Sequence, residues 1–67
     1  MTSNYTLVQY HLNVMIQMLM QKHGYTYEEA LPFVMSSNTY KELLAKPHLL
    51  EEGSLFIGEL LEKELEH

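Results

Sequence analysis

Histidine and glutamate are the residues of this chain that could hold a metal ion or move a proton. Three histidines precede the C-terminal tail: His11, His23 and His48. No two of them stand four residues apart, the spacing that places two side chains on one helix face. The chain also lacks cysteine and aspartate, which would complete a zinc or calcium ligand set. The sequence therefore predicts no metal site and no cofactor.

Glutamate pairs and serines would be the elements of a catalytic site. Glu28-Glu29 and Glu51-Glu52 are adjacent in sequence, and adjacent side chains on a helix point about 100° apart, so neither pair naturally shares a site. The serines lie in helix-capping contexts, and the chain has neither a Gly-x-Ser-x-Gly turn nor a phosphate-binding glycine loop. We predict no catalytic residue and no enzyme activity. We expect Glu59, Glu62 and Glu64 to form a solvated face.

The composition restricts the partners of the chain. Its 67 residues, enough for one small domain, include four lysines, no arginine and nine glutamates, which gives a formal charge of −5. Nucleic acid is not expected as a ligand, because phosphate binding needs clustered positive charge. Residues 1–64 are assigned to a single helical domain, whereas Leu65-Glu66-His67 resembles the junction before a C-terminal histidine tag.

Neither a membrane span nor a secretory leader is predicted. The most apolar window, residues 14–20, is much shorter than the roughly 20 residues that cross a bilayer. No lysine or arginine precedes Lys22, so the N-terminus lacks the positive region of a leader peptide. We expect a cytoplasmic protein, and the absence of cysteine is compatible with that location.

The apolar periodicity predicts an all-α domain. We expect a small bundle of four helices, with the first helix long and central, over residues of about 5–23, 27–36, 39–46 and 54–65. Gly24 suits the left-handed position that follows a helix, and Thr26 with Glu29 forms a capping box for the second helix. Ser37, Asn38 and Thr39 are the candidate caps of the third helix, with Thr39 and Glu42 as a second candidate box, and Ser54 is expected to cap the fourth helix.

The first helix is unusually apolar. Its apolar arc spans about 200° on a helical wheel, against roughly 100° for an ordinary surface helix. A domain of this size buries only about 60 % of its unfolded surface and normally needs an additional source of stability. We therefore expect a homodimer, or binding of a small protein partner, through the first helix. The candidate interface residues are Leu7, Tyr10, His11, Val14, Met15 and Met18.

Two further observations bear on function. The second and third helices could instead form a helix-turn-helix of a small transcriptional regulator, although Lys41 and Lys46 are accompanied by Glu42 and no arginine is present. The segments 24–30 (GYTYEEA), 37–44 (SNTYKELL) and 53–57 (GSLFI) resemble those of small bacterial helical proteins of unknown function. Some of these proteins are similar to components of toxin–antitoxin-like gene clusters. The resemblance implies a small regulatory or interaction protein and carries no catalytic residue.

Overall fold

Five helical segments make up the chain in a computed structural model that describes residues 4–66. The elements are α1 (Asn4–His23), α2 (Tyr27–Ser36), α3 (Asn38–Ala45), a 3₁₀ helix (Pro47–Glu51) and α4 (Ser54–Leu65), and no strand occurs within these residues. The predicted all-α class is confirmed, and the helix boundaries differ from the predicted ones by no more than one residue. Residues 1–3 and 67, the ends of the predicted domain and tail, lie outside the described part. Leu65 ends α4 and packs against the core.

The central position of α1 follows from its contacts, since it touches α2, α3, the 3₁₀ helix and α4. The buried apolar side chains of α1 are Val8, Leu12, Met15, Ile16 and Leu19. The other elements complete the core with Ala30, Val34, Leu43, Leu50, Ile57 and Leu61. Each fully buried aliphatic side chain stabilises the fold by about 1.5–3 kcal/mol. The chain itself therefore covers most of the wide apolar arc of α1.

The turn between α1 and α2 forms as its residue types predict. Gly24 has a φ of 72°, and the Tyr25 backbone N–H donates to the Leu19 carbonyl at 3.1 Å, which is the pattern of a glycine-terminated helix end. The Thr26 hydroxyl accepts from the Glu29 backbone N–H at 3.2 Å, and the Glu29 carboxylate accepts from the Thr26 N–H at 2.9 Å. The predicted capping box is confirmed.

Of the predicted caps of α3, Ser37 is confirmed and the box of Thr39 with Glu42 is wrong. The Ser37 hydroxyl accepts from the Tyr40 backbone N–H at 3.1 Å, while the Thr39 hydroxyl donates to Glu64. The predicted cap at Ser54 is also wrong, since Ser54 lies inside the first turn of α4 and Gly53 precedes it. Gly53 has a φ of 93°, so its freedom from a Cβ clash lets the chain turn from the 3₁₀ helix directly into α4.

Candidate functional site

The candidate interface residues of α1 divide between the core and the surface. His11 is 2 % exposed and Met15 is 0 % exposed, so the expectation that these two meet a second chain is wrong. Both lie on the side of α1 that its own chain covers. Leu7 is half-buried and packs on the core, whereas Tyr10, Val14 and Met18 lie along one groove. The structure thus brings three of the six residues together.

His11 is buried because it has a structural partner. Its Nε2–H donates to the Leu50 carbonyl at 2.8 Å; the oxygen can only accept, which requires the proton on Nε2. This bond links α1 to the 3₁₀ helix across 39 positions of sequence. The Nδ1 atom is buried without a partner in the described part of the chain. The Tyr10 ring makes an edge-on contact with the His11 ring, with 5.4 Å between the two ring centroids. His11 therefore holds the connector before α4 in place.

A groove of about 530 Å³ runs between α1 and α4. The two helices run in the same direction, because Leu50 lies opposite His11, Gly58 opposite Met18, and Glu62 opposite His23. The apolar part of what we call the α1–α4 groove is formed by Tyr10, Val14, Met18, Leu55 and Gly58.

Gly58 lines the α1–α4 groove beside Met18. A Cβ placed at Gly58 would lie 3.7 Å from the Met18 sulfur, which is ordinary van der Waals contact, so an alanine fits there without displacing a neighbour. Glycine inside a helix costs about 0.5–1 kcal/mol relative to alanine. Any larger residue at this position would raise the floor of the groove. The glycine therefore gives depth to the surface at the expense of helix stability.

Leu55 is the most exposed large apolar side chain of the described residues, at 80 %, and Tyr10 is 54 % exposed. Both border the groove. Leu55 stands two residues before Ile57, which is fully buried, so at 100° per residue the two side chains face nearly opposite directions. The i, i+3, i+4 spacing of Ile57, Leu60 and Leu61 already indicates in the sequence that the buried face of α4 is theirs.

Charged residues form the rim of the groove. On the α4 side, Glu59 is exposed and lines the groove. Glu62 accepts a hydrogen bond from His23 Nε2 at 2.8 Å, an interaction that becomes an ion pair when His23 is protonated. On the α1 side, Lys22 is the lysine at the rim. The charged residues that line the groove are therefore two glutamates, one of them bound to His23, and one lysine.

Glu64 is not part of a solvated face. Its carboxylate accepts hydrogen bonds from the backbone N–H groups of Asn38 at 2.8 Å and Thr39 at 3.0 Å, and from the Thr39 hydroxyl at 2.9 Å. Burial alone would raise the pKa of Glu64. The hydrogen bonds from Asn38 and Thr39 and the charge of Lys41 outweigh burial and lower this pKa below its ordinary value. Glu64 thus binds the first turn of α3, and the predicted solvated face is reduced to Glu59.

Two smaller hollows show exposed apolar side chains elsewhere. One of about 280 Å³ lies beside Tyr5 and Leu44, and another of about 450 Å³ lies beside Phe56. The second of these is bordered by Glu64, whose oxygens already bind α3, and by the ion pair of Lys46 with Glu42 at 3.0 Å. The α1–α4 groove is larger than either and is bordered by the most exposed leucine of the described residues. We therefore take it as the candidate site.

A metal site and a membrane-spanning helix are two other features that the described residues could have formed. Within residues 4–66 no three histidine or glutamate side chains come close enough to hold a metal ion. No helix in the same range has both the length and the apolar character needed to cross a membrane. Comparison of the chain with protein-family models, with curated proteins and with solved structures gives no match. The fold and the groove define a small all-α protein with an open apolar surface between two parallel helices.

Proposed function

We propose that the chain is a non-enzymatic protein-interaction module that contacts a protein through the α1–α4 groove. The observation that carries the proposal is the exposure of Leu55 and Tyr10 along one groove, beside a glycine that adds no side chain to it. Exposed apolar groups arranged around a hollow mark protein contact surfaces more often than isolated exposed leucines do. The resemblance to small bacterial helical proteins of unknown function, which implies a small regulatory or interaction protein, is compatible with this role.

The shape of the groove suits a helix. Two parallel helices leave a furrow between them, and an amphipathic helix can lay its apolar face into such a furrow with side chains at i, i+3 and i+4. Covering an exposed leucine such as Leu55 removes up to 1.5–3 kcal/mol of unfavourable hydration, by the usual transfer estimate of about 25 cal/mol per Å². Aromatic residues such as Tyr10 are enriched at the centres of interfaces.

Self-association remains one form of this proposal. The sequence favoured a homodimer because the apolar arc of α1 seemed too wide for one chain. Val8, Leu12 and Ile16 are covered within the chain, so a homodimer would have to form through the groove rather than through the whole of α1. We keep the cytoplasm as the expected location.

The alternative of a DNA-binding regulator has less support. In α3, which would be the recognition helix, Lys46 is paired with Glu42 at 3.0 Å, and the charge of Lys41 acts on the Glu64 carboxylate. Little positive charge is left to meet phosphates, on which DNA affinity depends. Absence of a gel shift at low salt would agree with this reasoning.

A matched pair of variants tests the proposed function. Leu55→Glu places a charge at the groove, while Met35→Glu places one at an exposed site on α2, away from the groove. Tagged wild-type and variant chains are used to capture proteins from cells that produce them naturally, and light scattering gives the number of copies. We expect a stoichiometric protein, or a second copy, with wild type and Met35→Glu but not with Leu55→Glu. Equal capture by all three chains would contradict the proposal.

A further inference from the structure

The occupant of the α1–α4 groove can be specified further, provided that the proposed function holds, from the unpaired charges that line it. Lys22 on α1 and Glu59 on α4 are exposed, line the groove, and have no ion pair within residues 4–66. The remaining charged residue of the lining, Glu62, is already bound to His23. The groove thus presents one unpaired charge of each sign, and such a surface can be complementary to a copy of itself.

The alignment of α1 with α4 determines where these two charges lie along the groove. Glu62 contacts His23, so Lys22 is displaced from the level of Glu62 by about one residue, or about 1.5 Å along the helix axis. Glu59 precedes Glu62 by three residues on the same helix, or about 4.5 Å. Lys22 and Glu59 therefore lie at similar levels near the end of α1, on opposite sides of the groove.

A two-fold axis can run along the groove or across it, and the charges distinguish the two directions. An axis parallel to the helices keeps every residue at its own level and lays α4 of one copy along α1 of the other. Lys22 of each copy then faces Glu59 of the other copy, which gives two equivalent ion pairs. An axis across the middle of the groove exchanges its two ends, brings Lys22 opposite Tyr10, and leaves Glu59 without a lysine.

The axis along the groove also brings exposed apolar side chains together. Leu50 lies opposite His11, so Leu55 lies at the level of residue 16 of α1. Val14 and Met18 line the groove two residues to either side of that level, or about 3 Å along the axis. Leu55 of each copy would therefore contact Val14 and Met18 of the other. Because Leu55 is 80 % exposed in the single chain, its burial would supply apolar contact area.

We propose that the α1–α4 groove binds a second copy of this chain, with the two-fold axis parallel to the helices. A chain of 67 residues without a disulfide bond is of the size at which association commonly supplies additional burial. The apolar contacts provide most of the affinity, since one exposed ion pair changes a dissociation constant by no more than about fivefold. The two pairs of Lys22 with Glu59 determine the direction of the axis.

Reversal of the two charges tests the pairing of Lys22 with Glu59. Sedimentation velocity from micromolar to millimolar concentration measures the dissociation constant of the dimer formed by the full chain. Lys22→Glu and Glu59→Lys each place like charges opposite one another at two points of the dimer. Each variant should therefore raise the dissociation constant at least about tenfold. The double variant re-forms both ion pairs with their signs exchanged and should return to within about threefold of wild type.

Matched controls carry the same changes of charge outside the groove. Lys63→Glu and Glu28→Lys alter exposed residues that do not line the groove. They should leave the dissociation constant within about threefold of wild type, because exposed charges away from the contact are screened by salt. Leu55→Glu should make the chain monomeric throughout the concentration range, and circular dichroism checks that each variant remains folded.

The other outcomes would overturn the second copy as the occupant. A wild-type monomer at every concentration would do so, as would a dimer that Lys22→Glu and Glu59→Lys leave unchanged. A double variant as weak as the single variants would show that Lys22 and Glu59 do not meet. A monomeric wild type that captures a different protein, with the capture lost in Leu55→Glu, would replace the second copy and leave the proposed function standing. Equal capture by wild type, Leu55→Glu and Met35→Glu would instead be the failure of the proposed function.

Discussion

Removing the carboxylate of Glu64 should destabilise the chain more than removing any other glutamate. Glu64 lies near the end of α4, yet its two oxygens accept three hydrogen bonds from the first turn of α3, at 2.8, 3.0 and 2.9 Å. Thr39, which donates two of them, is buried. In Glu64→Ala the backbone N–H and the hydroxyl of Thr39 both lose their acceptor. The contact that joins α3 to α4 is lost with them.

The expected loss of unfolding free energy follows from these bonds. Removing a side chain that caps a helix N-terminus costs about 0.5–2 kcal/mol. A buried donor left without a partner costs about 1–3 kcal/mol. Glu64 is half-buried, so water can reach part of the vacated space and the combined loss should be about 2 kcal/mol. For a domain of this length the melting temperature would fall by roughly 10 °C.

The pH dependence of this loss has a definite sign. The pKa of Glu64 in the folded chain is lowered, so the unfolded chain binds the proton more tightly. The contribution of Glu64 is therefore complete above the ordinary glutamate pKa of about 4.3 and is lost as the pH falls through the lowered value. Glu64→Gln keeps the shape of the side chain and one acceptor oxygen. It should lose about half as much stability as Glu64→Ala and remove this part of the pH dependence.

Urea unfolding followed by circular dichroism, between pH 7 and acid, measures these differences. Glu59→Gln is the control, because Glu59 is on the same helix and exposed, and should change stability by less than about 0.5 kcal/mol. The reasoning would be refuted if Glu64→Ala were no less stable than the control at neutral pH. It would equally be refuted if the gap between wild type and Glu64→Gln stayed constant down to acid pH.

Three other substitutions have expected outcomes in the same unfolding assay. Thr26→Ala removes the capping-box hydroxyl and should cost about 1 kcal/mol; an unchanged midpoint would contradict that role. His11→Phe preserves an aromatic ring but leaves the buried Leu50 carbonyl without its donor, so it should cost about 1–3 kcal/mol. The backbone amides of residues 48–51 should then exchange faster with deuterium than those of α2. Gly58→Ala should stabilise the chain by about 0.5–1 kcal/mol, since a Cβ there meets only the Met18 sulfur at 3.7 Å; a lower midpoint would show that the groove floor is tighter than that contact.

The sequence predicts those parts of the fold that depend on neighbouring residues. The capping box at Thr26 and Glu29 and the glycine turn at Gly24 involve atoms three to six positions apart, so residue types alone identify them. The helix bounds follow from the same local signals. Local reasoning failed at Thr39, where the competing partner was not the nearby Glu42 but Glu64, which lies 25 positions away.

The groove was only half predictable for the same physical reason. Tyr10, Val14 and Met18 share one face of α1, which the helical period reveals. His11 and Met15 were assigned wrongly because the period does not say which side of an apolar helix its own chain will cover. That choice depends on where α2, α4 and the 3₁₀ helix pack on α1, through contacts distant in sequence such as the hydrogen bond from His11 to Leu50, 39 positions away.

Leu55 and Gly58 give the strongest reason to regard this surface as functional. For a chain selected for stability alone, a leucine that is 80 % exposed and a glycine in the middle of a helix are both unfavourable. A polar residue at 55 and alanine at 58 would improve solubility and helix stability together. Both unfavourable residues border the same groove, where one supplies an apolar contact and the other the space beside it. If Gly58→Ala proves more stable while capture of the protein partner declines, stability is being given up at this position for binding.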